Sequence, residues 1–233
     1  MDFLKSIVVD GLVFFYGLLG DYGLAIIMLT IVVRVITLPL SLKQTKTTRA
    51  MQALAPERKK LEEKYKDDKE KLNQEMMGLY KKHKINPLSG CLPLLIQFPV
   101  LIAVFQVLRD PEAMKTALAA KDLLPANPAD YSLFLGLMDL NEPDRLFGVI
   151  PGVIPILAGL TTWVQTKLTT PEQPQGAMGS LTTFMPFMIV IFSYTLAAGL
   201  PLYWLTGNFF SIAQHFAVEK FSPLPQGQES GEK

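Results

Sequence analysis

Three stretches of this chain carry no Asp, Glu, Lys or Arg: residues 85–108, which number 24, residues 146–166, which number 21, and residues 173–218, which number 46. A helix needs roughly 20 predominantly apolar residues to cross a bilayer. The first two stretches therefore hold one span each and the third holds two, with Gly199 and Pro201 as the expected break, because neither favours a helix interior. Residues 22–42 are also apolar and long enough, with Arg34 as their one charge. A hydrophobic share of 49% over 233 residues would suit a soluble domain equally well. The placement of charge decides instead for an all-α membrane protein with five transmembrane helices.

Summed charge is only +1, but its distribution is uneven. Residues 43–84 hold 13 Lys/Arg against 7 Asp/Glu, whereas residues 109–145 hold 4 against 7. By the positive-inside rule the first segment is cytoplasmic and the second faces outward. Five spans then put the N-terminus outside and the C-terminus inside. The expected order is an N-terminal interfacial helix at 1–20, spans at 22–42, 87–108, 146–168, 181–198 and 202–220, a cytoplasmic hairpin at 43–84, an extracytoplasmic loop at 109–145, a cytoplasmic loop at 169–180 and a short cytoplasmic tail at 221–233.

The first helix is placed on the surface because Leu4, Ile7, Val8, Gly11, Leu12, Phe15 and Leu18 recur at helical spacing while Asp2, Lys5 and Asp10 interrupt any span. No small-x-small cleavage pattern follows it. Gly17, Gly20 and Gly23 around Asp21 are expected to supply the turn into the first span. Leu88-Ser89-Gly90-Cys91 has the local form of a lipoprotein cleavage box, but it lies about 90 residues in, behind a basic segment, and is discounted. Cys91 is the one cysteine, which excludes an intramolecular disulfide and a multi-cysteine metal site.

In the basic segment, Met51, Leu54, Leu61 and Tyr65, then Leu72, Met76, Leu79 and Tyr80, follow the spacing of two amphipathic helices. Asp67 is the expected cap of the second, with Glu70 completing a capping box. Arg49, Arg58, Lys59, Lys60, Lys81 and Lys82 would form a basic face. Such a face either serves solubility and topology or meets anionic lipid, a nascent chain or a ribosome. No base-reading motif accompanies it, so sequence-specific nucleic-acid binding is not expected.

No nucleotide-binding, nucleophile-elbow or zincin motif occurs. His83 and His215 lie in different regions, neither with a second ligand beside it. Arg34 is different, because a charge at mid-span costs on the order of 2.5–3.5 kcal/mol on insertion scales. Snorkelling to the cytoplasmic surface is strained: the nine residues to Lys43 span about 13 Å at ~1.5 Å each. Thr30, Arg34, Thr37 and Ser41 share one helix face. Gln97 and Gln106, Thr161, Thr162 and Gln165, and Tyr203, Asn208, Ser211 and Gln214 offer polar groups from other spans. With no Asp or Glu in any span except Glu219 at the far end of the last, this pattern implies a hydrated cavity around an unpaired cation. Pro39, Pro93, Pro99, Pro151, Pro155, Pro186 and Pro201 are expected to begin or kink helices, and Gly148 and Gly152 form a G-x-x-x-G packing pattern.

Residues 30–40 read T-I-V-V-R-V-I-T-L-P-L, residues 86–99 N-P-L-S-G-C-L-P-L-L-I-Q-F-P, residues 184–187 F-M-P-F and residues 199–208 G-L-P-L-Y-W-L-T-G-N. In this order they resemble the YidC membrane-protein insertases and their Oxa and Albino relatives, over about residues 16–216. The resemblance implies five helices around a hydrophilic groove that opens to the cytoplasm and to lipid and is closed outside, plus a cytoplasmic helical hairpin. By motif match Arg34 is the groove arginine, Thr30 the polar residue one turn before it, Tyr203 and Trp204 the aromatic pair of the last span, and Gln165 a groove glutamine. It further implies a bacterial plasma-membrane insertase and chaperone, not an enzyme. Such a protein passes hydrophilic flanks of substrates through the groove and releases their apolar helices into lipid, with no nucleotide, cofactor or metal. Newly made membrane proteins and the bilayer are its partners, with the ribosome and the Sec translocon as candidates. The chain is expected to lack the large periplasmic domain and extra helix of Gram-negative members and the lipoprotein cysteine of some Gram-positive ones. The tail, with Lys233 as its one basic residue, is not expected to dock ribosomes as long basic tails do. A small-solute transporter would share intramembrane charge and broken helices, but the odd span count and lack of inverted repeats oppose it. A scaffold that stabilises a membrane partner is compatible with the same groove and hairpin.

Overall fold

The computed structural model describes residues 2–66, 68–83, 92–146, 150–169 and 177–221. Asp67, the 88–91 cleavage-box sequence, Gly148, most of the 169–180 loop and the tail beyond Phe221 lie outside the described residues.

The chain is mostly helical. In order come α1 (Asp2–Leu19), α2 (Tyr22–Ala53), α3 (Ala55–Lys64), α4 (Lys69–Lys82), α5 (Leu92–Leu108) and α6 (Pro111–Ala119). A 3-10 turn (Asp130–Ser132) and two short antiparallel hairpins follow, β1 (Leu133–Phe134) with β2 (Met138–Asp139) and β3 (Arg145–Leu146) with β4 (Ile150–Pro151). The chain then continues through α7 (Val153–Thr169), α8 (Ala177–Thr195) and α9 (Gly199–Phe221). Among the described residues, α2 is the one helix both long and apolar enough to cross a membrane. Shorter apolar helical stretches occupy Phe98–Leu108 and Pro186–Thr195.

Each of the five expected stretches contains a helix, but several ends differ for physical reasons. The first does not stop at residue 42: α2 runs on to Ala53, straight through Lys43, Lys46 and Arg49, because nothing after Pro39 breaks it. The third begins at Val153 rather than 146, since β3 and β4 occupy the approach. Gly152 thus precedes the helix and cannot serve a helical packing face. Its N–H donates to the Asp144 backbone carbonyl at 2.9 Å, while the buried Asp144 carboxylate accepts the Ile154 N–H at 2.8 Å and caps α7. Between α8 and α9 the break is residues 196–198, and Gly199 and Pro201 lie inside the first turn of α9, where proline's missing donor costs nothing. Pro39, Pro99 and Pro186 remain inside helices. The 109–145 segment is structured rather than a plain loop.

The turn from α1 to α2 is built as expected. Gly20 takes φ +67°, and the Asp21 carboxylate accepts the Leu24 N–H at 2.8 Å. In the hairpin, α3 and α4 pack together with Leu54, Ala55 and Leu79 buried. The cap of α4 is Asp68, one residue later than expected, accepting the Lys71 N–H at 3.0 Å. Lys71 therefore holds the third helical position and Glu70 does not complete a capping box.

The core gathers at one end of the bundle, beneath α6 and the hairpins. Leu12, Tyr22, Ala25, Ile26, Val107, Met114, Leu118, Tyr131, Leu140, Ala198 and Leu202 are buried there. Backbone carbonyls of Leu140 and Glu142 accept the N–H groups of Gly199 and Ala198 at 3.0 and 2.9 Å, so the loop satisfies donors at the start of α9. α1 packs on α2, α5 and α6 through Val8, Leu12, Val13 and Tyr16, and Lys5 Nζ donates to Asp110 Oδ2 at 2.8 Å. Phe3, Ile7, Phe14 and Leu18 form a second, exposed apolar stripe on the same helix.

Candidate functional site: the seam between α2 and α9

Burial falls off sharply along the central helices. The last buried residue of the apolar part of α2 is Thr30, that of α9 is Asn208 and that of α7 is Thr162. Beyond those levels, toward the α3–α4 hairpin, described residues of the three helices are half-buried or exposed until Arg49. The bundle is closed at the end carrying α6 and looser at the other.

Arg34 lies one turn past this closure. Its guanidinium rests over the bare Cα of Gly207 on α9, so that a Cβ added there would fall 2.5 Å from Nη2. The Tyr203 phenol, one turn back along α9, lies within its electrostatic reach. Among the described residues no carboxylate is within ion-pair distance of Arg34. Two turns further on, Ser41 Oγ donates to Gln214 Oε1 at 3.0 Å and joins α2 to α9. Thr37, half-buried between them, donates to the Val33 carbonyl at 2.9 Å. Thr30 differs from the rest of the expected stripe. It is 1% exposed where Thr37 and Ser41 are half-buried, and its hydroxyl, like theirs, bonds to its own helix, donating to the Ile26 carbonyl at 2.6 Å.

The adjoining face of α9, about 100° round the helix, carries a second polar cluster. Asn208 Nδ2 donates to Thr162 Oγ1 at 2.7 Å, Thr161 Oγ1 at 3.0 Å and the Ala158 carbonyl at 3.3 Å. Trp204 Nε1 donates to Thr162 Oγ1 at 3.1 Å. Asn208 and both threonines are buried, so this cluster fastens α9 to α7 rather than facing an opening. The expected site residues therefore divide into two groups: Arg34, Thr37, Tyr203 and Gln214 toward α2, and Trp204 and Asn208 toward α7. Gln165 is half-buried on α7, and Gln97 lies on α5 with its side chain outside the described residues. Gly207 escaped the sequence reading. Its signal was a glycine inside an apolar helix, which suggests close approach of another group.

The basic hairpin residues also divide. Lys59, Lys60, Lys81 and Lys82 are exposed, whereas Arg49 is 8% exposed and Arg58 pairs with Glu62 at 3.7 Å, its Nε buried without a hydrogen-bond partner. The exposed basic face is lysine alone, because the two arginines turn into the packing of their own helices. At the other end of the molecule, a cavity of about 230 Å³ bordered by Phe105, Arg109, Asn141 and Thr195 opens near the start of α9, away from Arg34.

A family model described as 60Kd inner membrane protein matches residues 14–225. Membrane protein insertase MisCA of Bacillus subtilis (strain 168) is 41% identical over 222 residues, covering 90% of this chain and 76% of that protein. Membrane protein insertase YidC of Fusobacterium nucleatum is 39% identical over 202 residues, covering 86% and 87%. The YidC of Pelagibacter ubique is 39% identical over 210 residues, but the match spans only 37% of its length. Among solved structures, an active YidC insertase crystal structure with the first transmembrane domain resolved superposes with a TM-score of 0.59 at 28% identity, covering 90% of this chain and 45% of that one. The chain belongs to the 60Kd inner membrane protein family, the family of the YidC and Oxa membrane protein insertases.

Proposed function

We propose that this protein is a membrane-protein insertase and chaperone of a bacterial plasma membrane, with α2, α5, α7, α8 and α9 as its spans. The end carrying α6 faces outward and the α3–α4 hairpin faces the cytoplasm, so the N-terminus is outside and the C-terminus inside. The looser half of the bundle is then a hydrophilic groove open to the cytoplasm and lipid, with Arg34, Thr37, Ser41 and Gln214 along it and the buried Tyr203 and Gly207 at its closed end. The observation that carries this reading is Arg34: a guanidinium without a carboxylate partner among the described residues, half-buried one turn past the closed end of the bundle.

A charge left so placed attracts the negative groups of a passing hydrophilic flank and returns part of their lost hydration. The flank enters the groove while the substrate's apolar helix slides into lipid alongside the exposed apolar residues of α2, α7 and α8, such as Val35, Ile36, Leu160 and Phe187. No nucleotide is consumed. A membrane potential positive outside favours outward movement of negative charge by about 2.3 kcal/mol per charge per 100 mV. Nascent membrane proteins are the substrates, and the exposed lysine face of the hairpin is the surface offered to anionic lipid, the ribosome or the Sec translocon.

Reconstituted vesicles and a single-span substrate with an acidic flank test this. A hydrogen-bonded charge contact is worth about 1.5–3 kcal/mol, so Arg34→Ala should slow insertion roughly tenfold or more, with Arg34→Lys partly restoring it. Unchanged insertion of that substrate by Arg34→Ala would remove the proposed role.

A further inference from the structure

The β1–β2 hairpin turns through Leu135 and Gly136, at φ +52° and +69°, and closes with the Leu137 N–H donating to the Phe134 carbonyl at 3.0 Å. Positive φ at both central positions is the turn geometry that favours Asn-Gly or Asp-Gly. A leucine at the first of them is strained, and such strain persists where something else is gained. The leucines gain little packing within the chain. Leu135 is 59% exposed and Leu137 87% exposed, the highest exposure of any large hydrophobic residue described.

The tip is also fixed in depth. The Leu135 N–H donates to Asp21 Oδ2 at 2.5 Å, and Phe134 packs against the bare Cα of Gly23. Asp21 is the cap of α2, and the apolar run of that helix begins at the next residue. Whatever is bonded to Asp21 therefore sits where the hydrocarbon begins. Leu18 and Leu19, exposed at the end of α1, lie just before the same cap. At that level an exposed leucine meets acyl chains, and the apolar outer stripe of α1 continues the same surface.

We infer that the Leu135–Leu137 tip is a wedge that enters the outer leaflet beside α2, its partner being the glycerol and upper acyl region of phospholipid. The inference rests on the proposed reading of α2 as a span with its N-terminal end outside. Together with α1, the wedge fixes the height of α2, and hence of Arg34, relative to the bilayer.

The test places an environment-sensitive fluorophore at Leu137→Cys, in a Cys91→Ser background, in vesicles carrying nitroxide lipids labelled either shallow or deep along the acyl chain. The expected result is blue-shifted emission, quenched most strongly by the shallow nitroxide and little by aqueous iodide. A companion label at Val35→Cys, on the exposed mid-helix face of α2, should be quenched most by the deep nitroxide. If the Val35 label is not quenched, the span reading fails. If it is quenched while the Leu137 label answers only to iodide, or to neither quencher because protein covers it, the wedge fails and the span reading survives. Leu135→Asn with Leu137→Ser keeps a favourable turn. It should leave detergent-state melting unchanged or raised while shifting the Val35 label relative to the two nitroxides; no shift would overturn the role in setting depth.

Discussion

At the scale of single residues, Arg34 was legible because charge in an apolar run is costly and conspicuous, and among the described residues it has no acidic partner. What the sequence did not reveal was the surface it lies on. Glycine in a helix usually marks a weakness, and only the fold shows that Gly207 makes room for a guanidinium. Helical spacing puts Thr30 on the polar face, and the fold buries it at the level where the bundle closes. Gly207→Ala should therefore displace the guanidinium, the flexible end of a long side chain, without unfolding the helix. Insertion of the acidic-flanked substrate is expected to fall severalfold, less than for Arg34→Ala, while the thermal midpoint in detergent stays within a few degrees. Insertion equal to wild type would show that the position of the guanidinium does not matter.

At the scale of elements, apolar runs located helices well and ended them poorly. Charge does not end a helix, so α2 passes through Lys43 and Lys46, whereas β3 and β4 use apolar residues that looked like span. The capping aspartates were recognisable as a type but displaced by one residue at α4, because Asp67 and Asp68 compete for the same role. Asn208 reads in sequence as a groove residue, yet it is the fastening between α9 and α7. Cross-helix hydrogen bonds in membranes average about 0.6 kcal/mol, so Asn208→Leu, which removes the two N–H donors shared among three acceptors, should destabilise the protein by about 1 kcal/mol and lower its detergent melting midpoint. A melting midpoint matching wild type would mean the threonines are satisfied without it. The docking of α1 on α6 carries a pH signature. The hydrogen bond from Lys5, helped by the Ala113 N–H, holds the Asp110 carboxyl below its ordinary 3.8. A lowered carboxyl stabilises the folded state above the ordinary value and loses that contribution as pH falls through the folded one. Protease protection of α1 should thus be flat down to about pH 4 and fall below it, and Lys5→Gln should weaken protection at neutral pH and flatten the acid dependence. An identical acid profile in the variant would exclude the pair as its source.

At the scale of the whole molecule, the asymmetry of packing matters more than any single contact. The sequence announces polar groups in several helices but cannot say where along them the bundle closes, because closure depends on which residues share a level after folding. Here the buried residues of α7, α9 and the apolar part of α2 end at Thr162, Asn208 and Thr30, and the segment before α7 ties itself to the start of α9 through Leu140 and Glu142. On the proposed reading, a bundle sealed outside and loose inside would let water and a polar flank reach Arg34 without opening a path across the membrane. Single cysteines in a Cys91→Ser background make that directional. Ser41→Cys and Ser211→Cys, on the looser half, should react with a membrane-impermeant maleimide applied from the cytoplasmic face. Ala25→Cys and Leu202→Cys, within the closed end, should stay unreactive from either face until the protein is denatured. Reaction of the second pair from outside would describe a channel-like path through the bundle. Protection of all four would describe a dry bundle, in which Arg34 has no route to a substrate.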